Sequence, residues 1–146
     1  MLSYLFNGGK ETIALQQPVI GMKARYELMV TEDLTAASMG SGLLPVFATP
    51  CMIAMMEGAA TKCVQDCLEE GWSTVGTMIN IKHMAPTPLG SKVYAEAELI
   101  ENDGRRWLFS VRAYDESGLI GDGVHERYSI ENKRFLEKCA GRKASV

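Results

Sequence analysis

Histidine and paired cysteines are scarce in this sequence of 146 residues, which contains two His and four Cys. No CxxC motif occurs, and the nearest pair, Cys63 and Cys67, has the i, i+4 spacing of a helix. A structural zinc ion normally takes four Cys or His ligands, so this pattern predicts no metal site. We expect reduced cysteines that pack as small apolar side chains.

Long apolar runs and an excess of basic residues are also absent. No segment approaches the roughly 20 apolar residues that a membrane-spanning helix requires. The net charge of -3 and the pI near 5.4 argue against nucleic acid as the main partner. The N-terminal segment MLSYLFNGGKE lacks the basic and apolar regions of a signal peptide. These absences predict a cytoplasmic protein that binds neither nucleic acid nor a membrane.

What is present is typical of one globular domain over residues 1–146. Hydrophobic residues make up 47% of the chain and charged residues 23%, and a chain of this length can bury a core of its own. Apolar and polar residues alternate over residues 22–28, which predicts a strand. Thr49-Pro50 then predicts the start of a helix, with Thr49 as the N-cap and Pro50 in the first turn.

The predicted helix is apolar on nearly every side. Apolar residues recur at helical spacing over residues 52–67, and Gly71 is expected to lie just beyond the end of the helix. A helix of this kind must be covered all round, so we expect both a sheet and a second subunit to pack against it. The pattern therefore predicts a homodimer.

After Gly71 the apolar period changes from 3.6 residues to 2. The predicted strands cover residues 73–84, 92–101, 107–114 and 120–130, and a short polar helix follows over 132–139. This order of elements is typical of an α+β fold with a single antiparallel sheet against one helix. Residues 1–17 are expected to be an N-terminal extension, and residues 140–146 a flexible tail.

Glu57 is the only charged residue between positions 34 and 61, and it lies among the apolar residues of the predicted helix. Burying an unpaired carboxylate costs several kcal/mol. A carboxylate held in such a place is a candidate general base. The alternative is a structural role, in which the carboxylate reaches solvent at the edge of the helix or accepts a bond from a backbone amide.

His83 is the second candidate for chemistry. Strand alternation puts five residues on one face: Val75, Thr77, Ile79, Ile81 and His83. The imidazole then faces the isoleucines near the margin of the sheet, and because it titrates near neutral pH it is a candidate acid or base. The alternative is a core histidine whose hydrogen bonds are satisfied within the fold.

Three further residues have both a structural and a functional interpretation. Thr49 as an N-cap stabilises the helix start, yet the free amides there can also hold an anion or a developing oxyanion. Gly76 permits a turn or a close strand contact, or lets a thioester approach the backbone. Arg127, near the end of the last strand, is most simply a surface charge.

Three segments, VFATPCMIAMMEGAA, GTMINIKHMAPTPLGS and HERYSI, together resemble hotdog-fold thioesterases of the fluoroacetyl-CoA thioesterase-like family. The resemblance covers roughly residues 18–137 and implies a hotdog fold, in which an antiparallel β-sheet wraps around a long central α-helix. It also implies acyl-CoA thioesterase activity, with CoA as part of the substrate and with no cofactor or metal. By this resemblance Thr49, Glu57 and His83 form the catalytic set, and Gly76 and Arg127 bind substrate or CoA.

The segment before the helix departs from that family. Gly40 and Leu43 stand where the fluoroacetyl-CoA enzyme has bulky phenylalanines over the acyl group, and Pro50 stands where it has glycine. We expect Leu43, Phe47 and Met52 to line a pocket for a small or medium acyl group. Two alternatives stay open: a hotdog acyl-thioester hydratase or dehydratase, and a non-catalytic acyl-CoA-binding module.

Helix geometry separates Thr49 from Glu57. Eight residues of α-helix rise about 12 Å, so these side chains are not expected to touch within one chain. Antiparallel central helices in a dimer would bring Thr49 of one subunit close to Glu57 of the other. We therefore expect an active site at the subunit interface.

Overall fold

In the computed structural model, strands and helices are described for residues 3–7, 10–14 and 17–144. In chain order the elements are β1 (Ser3–Asn7), β2 (Lys10–Ala14), β3 (Lys23–Met29), α1 (Ala36–Met39), α2 (Thr49–Val64), β4 (Trp72–His83), β5 (Lys92–Asn102), β6 (Arg106–Asp115), β7 (Gly118–Glu131) and α3 (Asn132–Gly141). Short 3-10 turns lie at Glu32–Leu34, Gln65–Cys67 and Arg142–Ala144. None of the helices in the described ranges is long and apolar enough to cross a membrane.

The main sheet has five antiparallel strands in the order β3-β5-β6-β7-β4. Strands β5, β6 and β7 form a meander, and β3 and β4 lie at the two edges. Gly104 has a φ of 84°, which suits the tight turn between β5 and β6. All the predicted strands form, within two residues of their predicted bounds. The α+β fold, with one antiparallel sheet wrapped around a long helix, is therefore confirmed.

Two elements at the ends of the chain have no counterpart among the predicted strands and helices. Near the N-terminus, where the sequence has little periodicity, β1 and β2 pair as a separate antiparallel hairpin within the predicted extension. At the other end, residues 140–144 continue as helix and a 3-10 turn, and the flexibility of this tail stays a prediction. Residues 145–146 lie outside the described residues. The helical continuation follows from the lack of Pro or an early helix-ending Gly between Asn132 and Cys139.

The N-cap of helix α2 lies one residue before the predicted one. Ala48 is the N-cap and makes no side-chain capping bond, so Thr49 is the first helical residue. The expectation of Thr49 as N-cap is wrong, and its hydroxyl is free for another partner. At the other end the helix stops at Val64 and a 3-10 turn continues to Cys67, short of the predicted end just before Gly71.

One face of α2 forms the core against β3 and β5. The buried residues of the helix are Cys51, Met52, Met55, Met56, Ala59, Ala60, Cys63 and Val64. Ala95 and Ala97 of β5 are fully buried, and such small side chains let the helix lie close to the sheet. The opposite stripe, with Ile53, Ala54 and Glu57, stays at least partly exposed. The helix is thus uncovered on one side within a protomer.

Strand β4 contains a bulge between Gly76 and Met78. Because a bulge adds one residue to a strand, the residues before and after it change faces relative to simple alternation. Thr74, which is buried, and Gly76 face the helix before the bulge, and Ile81 packs on the core after it. The prediction that Val75 shares the face of His83 is therefore wrong.

Gly123 provides a test of the β4–β7 contact. A Cβ added there would lie 2.1 Å from the Asn80 carbonyl oxygen and 2.6 Å from Ile81 Cα, both backbone atoms. Since the backbone of β4 cannot move aside without breaking the ladder, Gly123→Ala should destabilise the fold by about 2 kcal/mol or more. The measurement is the free energy of unfolding in urea.

Gly141→Ala is the matched control, because a Cβ at Gly141 would meet nothing within 4 Å. The control should unfold at the wild-type urea concentration. Equal midpoints for the two variants would show that β4 and β7 are not in this contact.

Candidate active site

Thr49 and His83 form a hydroxyl–imidazole pair. The Thr49 Oγ1 lies 2.7 Å from His83 Nδ1, a distance at which the hydroxyl donates to the ring nitrogen. Thr49 is the first residue of α2 and His83 the last residue of β4. The pair lies at a cavity of about 290 Å³, whose other lining residues are Ala36, Ser41, Val46, Phe47, Met84, Ala85 and Pro86.

The environment of His83 favours a neutral imidazole. Burial lowers the pKa of His83 below its usual value, and a weaker interaction with the backbone of Ala85 opposes this. A neutral ring that accepts at Nδ1 carries its proton on Nε2. The Nε2 atom is buried and has no hydrogen-bond partner among the described residues. The pair can therefore take a proton from a hydroxyl, and its outer nitrogen needs an acceptor.

Arg127 organises a second group of residues beneath β4. It is 7% exposed, and its Nε and Nη2 donate to Thr74 Oγ1 and the Thr74 carbonyl oxygen at 2.8 and 2.9 Å. Its Nη1 donates to Glu57 Oε2 at 3.4 Å and lies 3.1 Å from His125 Nε2. Burial lowers the pKa of Arg127, and the Glu57 carboxylate opposes this. The interpretation of Arg127 as a surface charge is wrong.

Glu57 is paired and partly exposed within the protomer. Its side chain is 42% exposed, and Arg127 holds it. Glu57 is therefore not a lone buried carboxylate, because its counter-ion comes from a strand far along the sequence. Gly76 makes room for the carboxylate, since a Cβ there would lie 3.0 Å from Glu57 Oε2.

His125 is the residue of this site that the sequence analysis missed. It is 1% exposed, its Nδ1 donates to the Met78 carbonyl oxygen at 2.8 Å, and its Nε2 accepts from Arg127. Burial, with a contribution from the Arg127 charge, lowers the pKa of His125, while the Met78 carbonyl acts against this. The signal was available, because His125 and Arg127 are two residues apart and so share a strand face.

The three residues expected to line the acyl pocket lie in different environments. Phe47 is 1% exposed and lines the Thr49–His83 cavity. Met52 is fully buried in the core, and a Cβ at Gly121 would lie 2.7 Å from its sulfur. Leu43 is 94% exposed and is not among the residues that line the Thr49–His83 cavity in the protomer, so its place in an acyl pocket stays a prediction.

Two half-sites result. Thr49 and His83 lie together at the start of α2, and Glu57, Gly76 and Arg127 lie together about 12 Å further along the helix axis, from the rise of eight residues. Each half contains groups that hydrolytic chemistry uses: a hydroxyl with a neutral imidazole in the first, and a carboxylate with its counter-ion in the second.

The fold has close counterparts among known proteins. The fold places this protein in the hotdog class. A solved structure of a fluoroacetyl-CoA thioesterase superposes on it with a TM-score of 0.83 at 31% identity, covering 86% of this chain and 98% of that one. A hypothetical protein of Thermus thermophilus, described as a thioesterase superfamily member, superposes with a TM-score of 0.81 at 28% identity, covering 90% of this chain and 100% of that one.

The matches found by sequence cover a shorter part of the chain than the structural superpositions. The sequence model of the family described as fluoroacetyl-CoA-specific thioesterase matches residues 30–133. The fluoroacetyl-CoA thioesterase of Streptantibioticus cattleyicolor is 41% identical over 93 residues, which is 64% of this chain and 67% of that protein. The chain belongs to the fluoroacetyl-CoA-specific thioesterase family.

Arg127→Met tests the second half-site. The change keeps an apolar stem but leaves Thr74, Glu57 and His125 without their donor, so we expect a loss of about 2 kcal/mol in the free energy of unfolding. Urea unfolding monitored by tryptophan fluorescence measures it. Arg112→Met is the control, because Arg112 is exposed and makes no ion pair in the described part of the chain. Equal losses in both variants would contradict the network.

Proposed function

We propose that this protein is an acyl-CoA thioesterase that hydrolyses a small or medium acyl-CoA to the free acid and CoA. The observation that carries the proposal is the 2.7 Å contact between the Thr49 hydroxyl and the neutral His83 ring at the mouth of a cavity. A hydroxyl beside an imidazole base is an arrangement for attack on a carbonyl carbon. The activity of the relatives, fluoroacetyl-CoA thioesterases, supports the same reaction.

The active unit in this proposal is a homodimer. Strand β4 is an edge strand of 12 residues, with no partner on its outer side in the described part of the chain, and such an edge readily pairs with another strand. The part-exposed stripe of α2 around Ile53 and Ala54 lies next to it and would be covered by the same contact. An isologous contact of β4 with its own copy would cover both features.

Antiparallel pairing of β4 also completes the site. If His83 lies opposite Gly76 of the partner subunit, the His83 ring comes close to Glu57 of the partner subunit. This supplies the acceptor that the buried Nε2 lacks within its own chain. The two half-sites then combine into two equivalent active sites at the interface.

Each group has a role in the proposed hydrolysis. Glu57 acts as the general base, through His83, for the hydroxyl that attacks the thioester carbonyl carbon. Backbone amides at the start of α2 and at Gly76 hold the carbonyl oxygen as it becomes negative. The carbon–sulfur bond then breaks, the acyl group stays on the Thr49 oxygen, and the leaving thiolate takes the proton that His83 has received. A water molecule that gives its proton to His83 then attacks the acyl carbon, the bond to the Thr49 oxygen breaks, and that oxygen takes the proton back as the free acid leaves. Arg127, which is buried, holds Glu57 in place. The contact between Arg127 and CoA that the family resemblance implies stays a prediction.

The proposal also places the protein in the cytoplasm. All four cysteines are free, and Cys51 and Cys63 are buried. Burial raises the pKa of Cys63 to about 11, which keeps it an unreactive thiol. Free cysteines of this kind are usual in a reducing compartment.

Glu57→Gln is the direct test of the reaction. The amide keeps the size of the side chain and a bond from Arg127 but cannot accept a proton, so turnover should fall roughly 10²–10⁴-fold. Release of the free CoA thiol from acetyl-CoA and butyryl-CoA measures turnover, and circular dichroism checks the fold. The control, Glu70→Gln on an exposed loop, should retain wild-type turnover.

The same assay separates the alternatives. A hydratase or dehydratase would change the acyl chain without releasing thiol, and a binding module would bind acyl-CoA without consuming it. Near-normal thiol release by Glu57→Gln would remove Glu57 from the mechanism.

Substrate selectivity is the second prediction from this site. No aromatic ring stands at Gly40 or Leu43, and Leu43 is turned to solvent, so the acyl cavity above Phe47 is left open. An open apolar wall distinguishes acyl groups mainly by the number of methylenes that they bury, each worth roughly 0.8 kcal/mol. Such a wall has little means of preferring an acyl group with fluorine to one with hydrogen. The kcat/KM values for fluoroacetyl-CoA and acetyl-CoA should therefore be similar. A preference for fluoroacetyl-CoA beyond about 10³-fold, or about 4 kcal/mol, would contradict this.

A further inference from the structure

A cleft of about 170 Å³ lies between α3 and the beginning of β4, away from the Thr49–His83 pair. Its apolar walls are Trp72, Ile130 and Phe135, and its rim carries Arg105, Arg134 and Lys138. Trp72 and Phe135 are 37% and 39% exposed, so both rings present surface to a ligand. The cleft is smaller than the roughly 300 Å³ of a complete small-molecule site, which suits one part of a longer ligand.

The charge of this cleft is opposite to that of the whole chain. Three cations and one carboxylate, Glu131, line it, while the chain carries a net charge of -3. None of the three cations forms an ion pair among the described residues. Arg105 is held in place because its Nη2 donates to the Ser129 carbonyl oxygen at 3.1 Å. These cations are available to an anion.

The helix presents its cleft residues on one face. Arg134, Phe135 and Lys138 follow the i, i+1, i+4 spacing of one face of α3, and Glu131 is the N-cap of this helix. This face therefore combines an aromatic ring with two cations, directed at Trp72 across the cleft. Aromatic faces stack on nucleobases, and Arg and Lys bind phosphates. The chemistry of the cleft is that of a nucleotide site.

We infer that this cleft binds the nucleotide end of the CoA thioester, with the adenine against Trp72 and Phe135 and the phosphates on Arg105, Arg134 and Lys138. The inference rests on the proposed function for the identity of the ligand. Trp72 is four residues before Gly76 on β4, which is about 13 Å of strand. In the proposed dimer the reacting carbonyl lies between Gly76 of one subunit and His83 of the other, so the extended pantetheine arm of CoA has about this distance to span from the cleft.

The experiment compares two double variants in the full-length protein. Arg134→Ala/Lys138→Ala removes two cations from the cleft, and Lys133→Ala/Arg142→Ala removes two exposed cations of the same terminal segment that do not line it. Titration calorimetry with adenosine 3′,5′-bisphosphate reports binding without any hydrolysis. We expect the cleft variant to bind this nucleotide about tenfold more weakly than the wild type, and the control variant to bind it as the wild type does. Equal affinity of the wild type and the cleft variant, or an equal loss in both variants, would overturn the site.

A kinetic arm uses a substrate that lacks the nucleotide. The cleft variant should raise KM for acetyl-CoA about tenfold with kcat unchanged, while kcat/KM for S-acetyl-pantetheine stays at the wild-type value. An equal loss with both substrates would overturn the inference. If the wild type hydrolyses neither thioester but binds the bisphosphate through the cleft, the proposed function fails and the nucleotide site stands.

Discussion

The rise of an α-helix is the constraint on which the chemistry of this protein depends. Thr49 and Glu57 lie on one rigid helix, and eight residues keep them about 12 Å apart. Repacking side chains cannot close that gap, because the helix is fixed by a fully buried face against β3 and β5. His83 lies beside Thr49, with which it shares a hydrogen bond. Gly76 lies beside Glu57, eight residues further along the helix. A protomer thus carries two halves of a site, and the proposed dimer is the arrangement that combines them.

Arg127 gives the second half its rigidity. A guanidinium buried against Thr74, Glu57 and His125 joins β7, β4 and α2 around a single charge. Transferring a charge from water into the protein interior is costly, and the several hydrogen bonds of Arg127 offset that cost. His125 completes the network as a neutral acceptor, since burial and the neighbouring Arg127 both lower its pKa. The same network orients the Glu57 carboxylate that the proposed mechanism uses as its base.

Local patterns in the sequence account for most of the fold but for less of the site. Alternation and turn residues gave the meander of β5, β6 and β7, because these depend on neighbours in the chain. The bulge between Gly76 and Met78 has no such local signal, and it moved Val75 off the face of His83. The pairing of Arg127 with Glu57 joins residues 70 positions apart, which local periodicity does not reveal. From periodicity alone, Arg127 is therefore predicted as a surface charge and Glu57 as a lone carboxylate. The high exposure of Leu43 in the protomer had no signal in the sequence either, because a loop rich in glycine does not reveal which way its side chains point.

Mixed dimers test the shared active site most directly. Thr49→Ala and Glu57→Gln, each purified alone, should be nearly inactive in thiol release. When the two chains are co-expressed, mixed dimers should contain one site with both changes and one site with neither, so activity should recover to about a quarter of the wild-type value. Activity that stays at the level of the single variants, in a preparation shown by two affinity tags to contain mixed dimers, would contradict the account.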